Sequence, residues 1–107
     1  MTTLLALYRR PDGGDEALTT FLHRYETEHL PLVARTPGLR ATRVQRVREA
    51  LGAETDLVVI TAMDFDDRAA LDAGLASDAM RQAGRNLREI APDLATFLVL
   101  EDGLLAP

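Results

Sequence analysis

The residues best suited to chemistry lie at intervals of four along the chain: Phe21, Tyr25 and His29. On an α-helix this spacing stacks the three side chains along one face over two turns. Imidazole titrates near neutral pH, so His29 can accept or donate a proton without a large shift of its pKa. The Tyr25 hydroxyl could bond to a substrate oxygen or to the histidine. We therefore predict His29 as the general acid/base and Tyr25 as the residue that orients it.

The helix that carries these residues is predicted to be amphipathic, with charged side chains on or near the side opposite the stripe. The apolar residues that flank the stripe are Leu18, Leu22 and Val33. Pro31 lacks an N–H and crowds the carbonyl of Thr27, so the helix should kink or end just past His29, with the segment reaching about Ala34. A structural alternative stays open, in which His29 only satisfies a carbonyl that Pro31 leaves free.

Residue types that are missing exclude much covalent catalysis. The chain has no Cys, and all twelve of its basic residues are Arg, so thiol nucleophiles, zinc-thiolate sites and lysine Schiff bases are excluded. Trp is absent as well, Ser77 is the only serine and Asn86 the only asparagine. Nothing in the pattern places Ser77 near His29 for a triad, and its position is that of a helix cap.

The sequence predicts neither a metal nor a cofactor. His23 lies six residues before His29, roughly 240° around a helix, so the two rings cannot chelate one ion. Asp64, Asp66 and Asp67 could suggest an oxygen-ligand site, but helix capping explains them better. Glu26 and Glu28 are expected to be solvated rather than paired as acid and base.

Charge and hydropathy argue against nucleic-acid and membrane partners. The formal net charge is −5 with a pI of about 4.9, and the arginines of Arg40–Arg48 have no interleaved aromatic side chains to stack bases. The longest apolar run, Leu57–Met63, is far too short to span a bilayer. Because the first residues show no signal-peptide pattern, we expect a cytoplasmic protein.

The pattern of elements predicts an α+β fold of the ferredoxin-like type, with the order βαββαβ, a four-stranded antiparallel sheet and the helices on one face. The predicted strands are Thr3–Arg9, Arg40–Arg48, Asp56–Asp64 and Leu94–Glu101. Asp15 is predicted to cap the first helix, Asp66 or Asp67 a short second helix, and Ser77 a third. Strands one and three should be the inner pair and strand two an edge. Residues 1–107 are expected to form one domain, with 102–107 as a short mobile tail.

The predicted sheet has more apolar surface than its own helices can cover. Strands one, three and four carry aliphatic residues on both faces, whereas the helices can cover one face only. Four strands of about 18 Å at ~4.8 Å spacing expose roughly 350 Å² of flat surface, the limit of what soluble monomers usually show. We therefore predict a homodimer in which two copies meet through this sheet face.

The motif F-x3-Y-x3-H-x-P-L, followed shortly by P-G-L, resembles the EthD family of dimeric α+β-barrel proteins. The likeness extends to the opening strand, Leu5–Pro11, and to the strand Phe97–Glu101. It implies a barrel closed between two subunits. We expect the ligand to lie between the first helix and the sheet. Related monooxygenases and haem-degrading enzymes often depend on Trp and Asn beside the site. This chain has no Trp, and Asn86 lies in a helix faced with arginines, which argues against oxygen activation.

Together these observations predict a cofactor-independent homodimer that binds a small apolar cyclic or carbonyl-bearing molecule. His29 would carry proton-transfer chemistry of the isomerase, cyclase or decarboxylase type, and the predicted ligand contacts are Tyr8, Phe21 and Phe97. For Tyr8 the simpler explanation is core packing. The alternatives are a non-catalytic ligand-binding or accessory protein of the same fold and, less favoured, a monooxygenase or haem-binding member.

Overall fold

The computed structural model describes residues 1–104, so the last part of the predicted tail, residues 105–107, lies outside the described residues. The strands are β1 (Thr2–Arg9), β2 (Ala41–Arg46), β3 (Leu57–Phe65) and β4 (Ala95–Glu101). The helices are α1 (Gly14–Arg24), α2 (Leu30–Val33), α3 (Arg68–Leu75) and α4 (Asp78–Ile90), and a π-helical turn, Tyr25–His29, joins α1 to α2.

The four strands form one antiparallel sheet in the order β2-β3-β1-β4. The predicted βαββαβ arrangement is confirmed, as are the inner pair β1 and β3 and the edge position of β2. In the register of the sheet, Leu4 lies opposite Met63 on one side and Val99 on the other. These three side chains therefore share one face.

The helices cover one face of this sheet, as the alternation of burial along the inner strands shows. In β1, Leu4, Ala6 and Tyr8 are buried, whereas Leu5 and Leu7 are only half-buried. Because successive side chains point to opposite faces, the buried set faces the helices and the other set faces away. The helical cover does not extend fully over the edge strand β4, whose residues from Thr96 onward are exposed on both faces.

The helix that carries Phe21, Tyr25 and His29 does not end at His29. The N–H of Leu30 bonds to the carbonyl of Tyr25, five residues back, and the chain then continues as α2 to Val33. Pro31, which has no N–H to donate, lies in the first turn of α2, directly after this wider turn. The effect of Pro31 is therefore a local π-helical widening of a continuous helical segment.

Two predicted caps are confirmed and one is wrong. The Asp67 carboxylate accepts the N–H of Ala70 at 2.8 Å, and the Ser77 hydroxyl accepts the N–H of Met80 at 3.2 Å. Asp15 does not cap α1, because Gly13 holds that position with a positive φ of 108°. The carboxylate of Asp15 lies instead in the first turn, where the helix dipole favours negative charge.

Candidate functional site

A cavity of about 390 Å³ lies between the sheet and the helices, beside β4. Its walls come from β1, β3 and β4 on one side and from the helical segments on the other, and they are almost entirely apolar. The principal apolar lining residues are Leu4, Met63, Met80, Leu87, Phe97 and Val99. Two lining residues carry polar side chains, Tyr8 and His29. A largely apolar pocket with a few convergent polar groups is typical of a small-molecule site.

His29 lies at the end of the π-helical turn and is held on two sides. Its ring stacks on that of Tyr25 with centroids 5.0 Å apart and an interplanar angle of 29°. Its Nδ1 lies 3.2 Å from Oδ1 of Asn86 in α4. Only 5% of the residue is exposed. The orientation of the imidazole is therefore fixed by the Tyr25 ring of the π-helical turn and by the Asn86 side chain of α4.

Burial lowers the pKa of His29, because the charged form of the ring loses solvation. The hydrogen bond with Asn86 and the backbone carbonyl of Ala83 favour the charged form and oppose this shift in part. With a pKa lowered from its ordinary value of about 6.5, the ring is neutral at pH 7. A neutral imidazole in this position is a proton acceptor.

Three buried hydroxyl groups form a chain behind the cavity. The Tyr25 hydroxyl lies 2.6 Å from Oγ1 of Thr61 and 3.3 Å from the hydroxyl of Tyr8. Burial is the main cause that raises the pKa of both tyrosines, so both stay protonated and act as hydrogen-bonding groups. The Tyr8 and Tyr25 rings meet edge to face at 4.9 Å, which fixes the geometry of this chain.

The predicted site residues have different places around the cavity. His29, Tyr8 and Phe97 line it, and Phe97 is 49% exposed at its open side. Tyr25 does not line the cavity but lies behind His29 and contacts Tyr8. Phe21 does not line it either. It is buried in the core, with its ring 5.8 Å from that of Tyr8 and 5.6 Å from that of Tyr25.

Asn86 is the site residue that the sequence reasoning missed. The sequence placed it only in a helix faced with arginines and assigned it no role at the site, yet it contacts His29. The signal was available, because Asn86 lies three residues after the apolar Ala83, and residues three apart are neighbours on one face of a helix. Glu28 also differs from expectation. It is part-exposed, but it accepts hydrogen bonds from Arg24 and from Asn86.

Two further findings on residues 1–104 concern metal ions and membranes. Within this range no three His, Cys, Asp or Glu side chains are grouped so that they could hold a metal ion. Across the same residues, none of the helices has the length and apolar character needed to cross a bilayer.

The fold and the cavity define an α+β protein of the ferredoxin-like class with an apolar cavity between sheet and helices. The chain belongs to the EthD family, since the EthD domain model matches residues 15–101. No curated protein matches it.

Solved structures agree with this assignment. An ethyl tert-butyl ether D (EthD) family protein from Bacillus halodurans has a TM-score of 0.86 at 27% identity, covering 96% of this chain and 99% of its own. A dimeric protein of unknown function and ferredoxin-like fold from Bacteroides fragilis has a TM-score of 0.69 at 17% identity, covering 94% and 95%. SnoaB, a cofactor-independent oxygenase from Streptomyces nogalater, has a TM-score of 0.64 at 16% identity, covering 99% and 96%. The last two likenesses concern the fold alone.

Proposed function

We propose that the protein is a cofactor-independent, single-domain homodimer of the cytoplasm that binds a small, uncharged cyclic or carbonyl-bearing molecule and moves a proton on it through His29. The observation that carries this proposal is the apolar cavity of about 390 Å³ with a buried imidazole in its wall. Among residues 1–104, no arginine lines the cavity to pair with an anionic ligand. The pocket therefore favours a neutral ligand.

The lowered pKa of His29 sets the order of events. The neutral ring first accepts a proton from the carbon next to the ligand carbonyl, and the C–H electron pair forms the enolate. The imidazolium then returns the proton to a different atom, which completes an isomerisation, or to the same atom. In this scheme Tyr25 does not touch the ligand; it orients the ring by stacking on it.

Tyr8 is suited to bind the enolate oxygen. Thr61, Tyr25 and Tyr8 hold three hydroxyl protons but share only two contacts, so one proton is left for a further acceptor. In the order Thr61 to Tyr25 to Tyr8, the remaining proton is that of Tyr8, the member that lines the cavity. A preorganised donor at a developing oxyanion lowers the barrier of this class of reaction.

The homodimer is supported by the second face of the sheet. Leu98 and Leu100 on that face are each 42% exposed, and Leu98 lies opposite the half-buried Leu5. Ile60 of β3 lies on the same face and is also half-buried. The Bacteroides fragilis neighbour, of the same fold, is dimeric. A second copy placed against this face would remove the apolar surface from water.

Deuterium incorporation tests the proposed proton transfer without knowledge of the natural substrate. The probe is 1-tetralone, an uncharged bicyclic ketone, incubated with the protein in D₂O and followed by proton NMR at the position next to the carbonyl. We expect exchange above the buffer rate, reduced about 10²–10⁴-fold in His29→Gln, the usual contribution of a general base. His23→Gln, which changes the exposed histidine, is the matched control.

The same measurement separates the enzyme from a non-catalytic binding protein. A binding protein would show a ligand-dependent rise in melting temperature and no enhanced exchange, with His29→Gln unchanged in both. If a broad set of neutral ketones and phenols gave neither exchange nor stabilisation, the proposal would be wrong.

A cofactor-independent oxygenase is the second candidate. The contact between Asn86 and His29 favours it, because an asparagine beside the site is one of the two features on which related monooxygenases often depend. SnoaB has this fold and this activity. Both candidates begin with deprotonation of the ligand, so oxygen consumption measured with an electrode distinguishes them. A haem-binding role is less favoured, since the described part of the chain places no arginine in the cavity wall to pair with the two propionates.

A further inference from the structure

Asn86 joins the cavity histidine to a charged group outside the cavity. Its Oδ1 lies 3.2 Å from Nδ1 of His29, and its Nδ2 donates to Oε1 of Glu28 at 3.0 Å. The three residues come from two segments far apart in the chain, the π-helical turn and α4. The single asparagine of the protein is therefore bonded through both ends of its amide.

The Glu28 contact decides which way the Asn86 amide points. An ionised carboxylate can only accept hydrogen bonds, so the group that faces Glu28 must be the NH₂. With the amide flipped, Oδ1 would face Oε1 of Glu28 at 3.0 Å, two oxygens with no proton between them. The carbonyl oxygen must then face His29, and an oxygen acceptor requires a proton on Nδ1 of the ring.

Glu28 is itself held in place from the opposite side. Arg24 donates from Nε to Oε2 of Glu28 at 2.7 Å and from Nη2 to Oε1 at 3.0 Å, a two-pronged contact. Nη2 of Arg24 also donates to Glu89 at 2.8 Å, which ties this arrangement back to α4. The bonds with Arg24 are the main cause that lowers the pKa of Glu28, so the carboxylate is ionised at neutral pH.

We propose that Asn86 is a positioning residue that fixes His29 in the tautomer with the proton on Nδ1, leaving Nε2 as the basic nitrogen, and that Glu28 sets the amide orientation on which this depends. For its catalytic consequence the proposal rests on the proposed function. A ring with the proton on Nε2 would have no lone pair there to accept a substrate proton.

The uncharged amide of Asn86 also explains why the His29 ring stays neutral. The groups that face the ring are the Tyr25 ring from the π-helical turn and, from α4, the Asn86 amide and the Ala83 carbonyl, none of which carries a full charge. A carboxylate in the place of Asn86 would favour the imidazolium. The negative charge of Glu28 is one amide further away and is paired with Arg24.

Nitrogen-15 NMR of the intact protein measures the tautomer directly. At pH 8, multiple-bond spectra assign which ring nitrogen of His29 is protonated, and no ligand is needed. We expect the Nδ1–H tautomer to dominate in the wild type. In Asn86→Leu the ratio should move at least about fivefold toward Nε2–H, because one net hydrogen bond supports a ratio of this size. Asn86→Asp keeps an acceptor, so among the rings that stay neutral at this pH the Nδ1–H tautomer should again dominate.

Variants of Glu28 and Glu89 test the tautomer assignment without changing Asn86 itself, so the assignment stays testable if Asn86→Leu does not fold. Glu28→Gln removes the orientation constraint, since its amide can present either NH₂ or oxygen to Asn86, and the ratio should become mixed. Glu89→Gln alters another partner of Arg24, whereas the hydrogen bonds of the Asn86 amide are with His29 and Glu28, so this change should leave the ratio unchanged. A wild-type ring with Nε2–H dominant, or a ratio unaffected by both Asn86→Leu and Glu28→Gln, would overturn the proposal.

Exchange of 1-tetralone gives the second measurement. Asn86→Leu should lower the maximal exchange rate by a larger factor than it raises KM. Asn86→Asp should restore part of that rate. Failure of the proposed function and failure of the proposed role of Asn86 give different results. A fixed Nδ1–H tautomer with no exchange of any ketone sinks the proposed function alone, whereas exchange by a ring with Nε2–H dominant sinks the role of Asn86 alone.

Discussion

Two helical glycines should respond in opposite ways to the same added methyl group. Gly84 lies inside α4 and lines the cavity, and a Cβ built there would have only the Arg88 guanidinium within 4 Å, at 3.7 Å. Gly74 lies near the end of α3, where a Cβ would come within 2.8 Å of Phe65 Cε1 and 3.1 Å of Thr36 Cγ2. One position has open space, and the other is filled.

The expected magnitudes follow from these distances. Alanine is favoured over glycine inside a helix by about 1 kcal/mol, so Gly84→Ala should stabilise the fold by roughly that amount and raise Tm by about 4–8 °C. Gly74→Ala has at most the same helix gain. Phe65 is fully buried and cannot move away, so overpacking costs about 1–3 kcal/mol and the net result is destabilisation by up to about 2 kcal/mol.

The assay is urea denaturation of both variants and the wild type at one protein concentration, since the proposed dimerisation would make stability concentration-dependent. An unchanged slope with a shifted midpoint shows that stability itself has changed. A Gly74→Ala protein as stable as Gly84→Ala would refute the packing argument around Phe65. A destabilised Gly84→Ala protein would show that the space beside α4 is not open.

Three further predictions concern the site and the sheet. Burial lowers the pKa of His29 in the folded state below its ordinary value of about 6.5, so the unfolded chain binds more protons below pH 7. The free energy of unfolding should therefore fall as the pH drops from 7 through about 6.5 toward the folded-state pKa. The His29→Gln variant should lose this dependence and His23→Gln should keep it, as measured by urea midpoints from pH 7 to pH 5. Tyr25→Phe leaves a buried Thr61 hydroxyl without its 2.6 Å partner and should cost about 1–3 kcal/mol, and adding Thr61→Val should cost less than the sum of the two single changes. Leu98→Arg on the open sheet face should convert a sedimenting dimer to monomer, and a variant that stays dimeric would place the interface elsewhere.

The sheet was predictable because its information is local. Alternation of side chains along β1 and the apolar run of β3 identify the two inner strands, and the polar pattern of β2 identifies an edge. Ser77 was recognised as a cap for the same reason, since its contact with Met80 spans three residues.

The π-helical turn shows where pattern reasoning ended. A spacing of four predicts that Tyr25 and His29 meet, and their rings do stack. The same reasoning assumes a constant number of residues per turn, so it predicted that the helix kinks or ends near Pro31. It did not predict that the Leu30 N–H would bond to the carbonyl five residues back and that the helix would continue. Whether a chain ends or widens its helix at a proline depends on what packs against the next turn.

By itself, the sequence determined the element order, the inner strands and the presence of one buried imidazole, because each depends on residues close together in the chain. The cavity and the partner of that imidazole were decided only in three dimensions. The cavity exists because the helices leave the side of β4 uncovered, and Asn86 reaches His29 across 57 positions of sequence. Local periodicity sets which face a side chain occupies, but the meeting of two faces depends on how the elements pack.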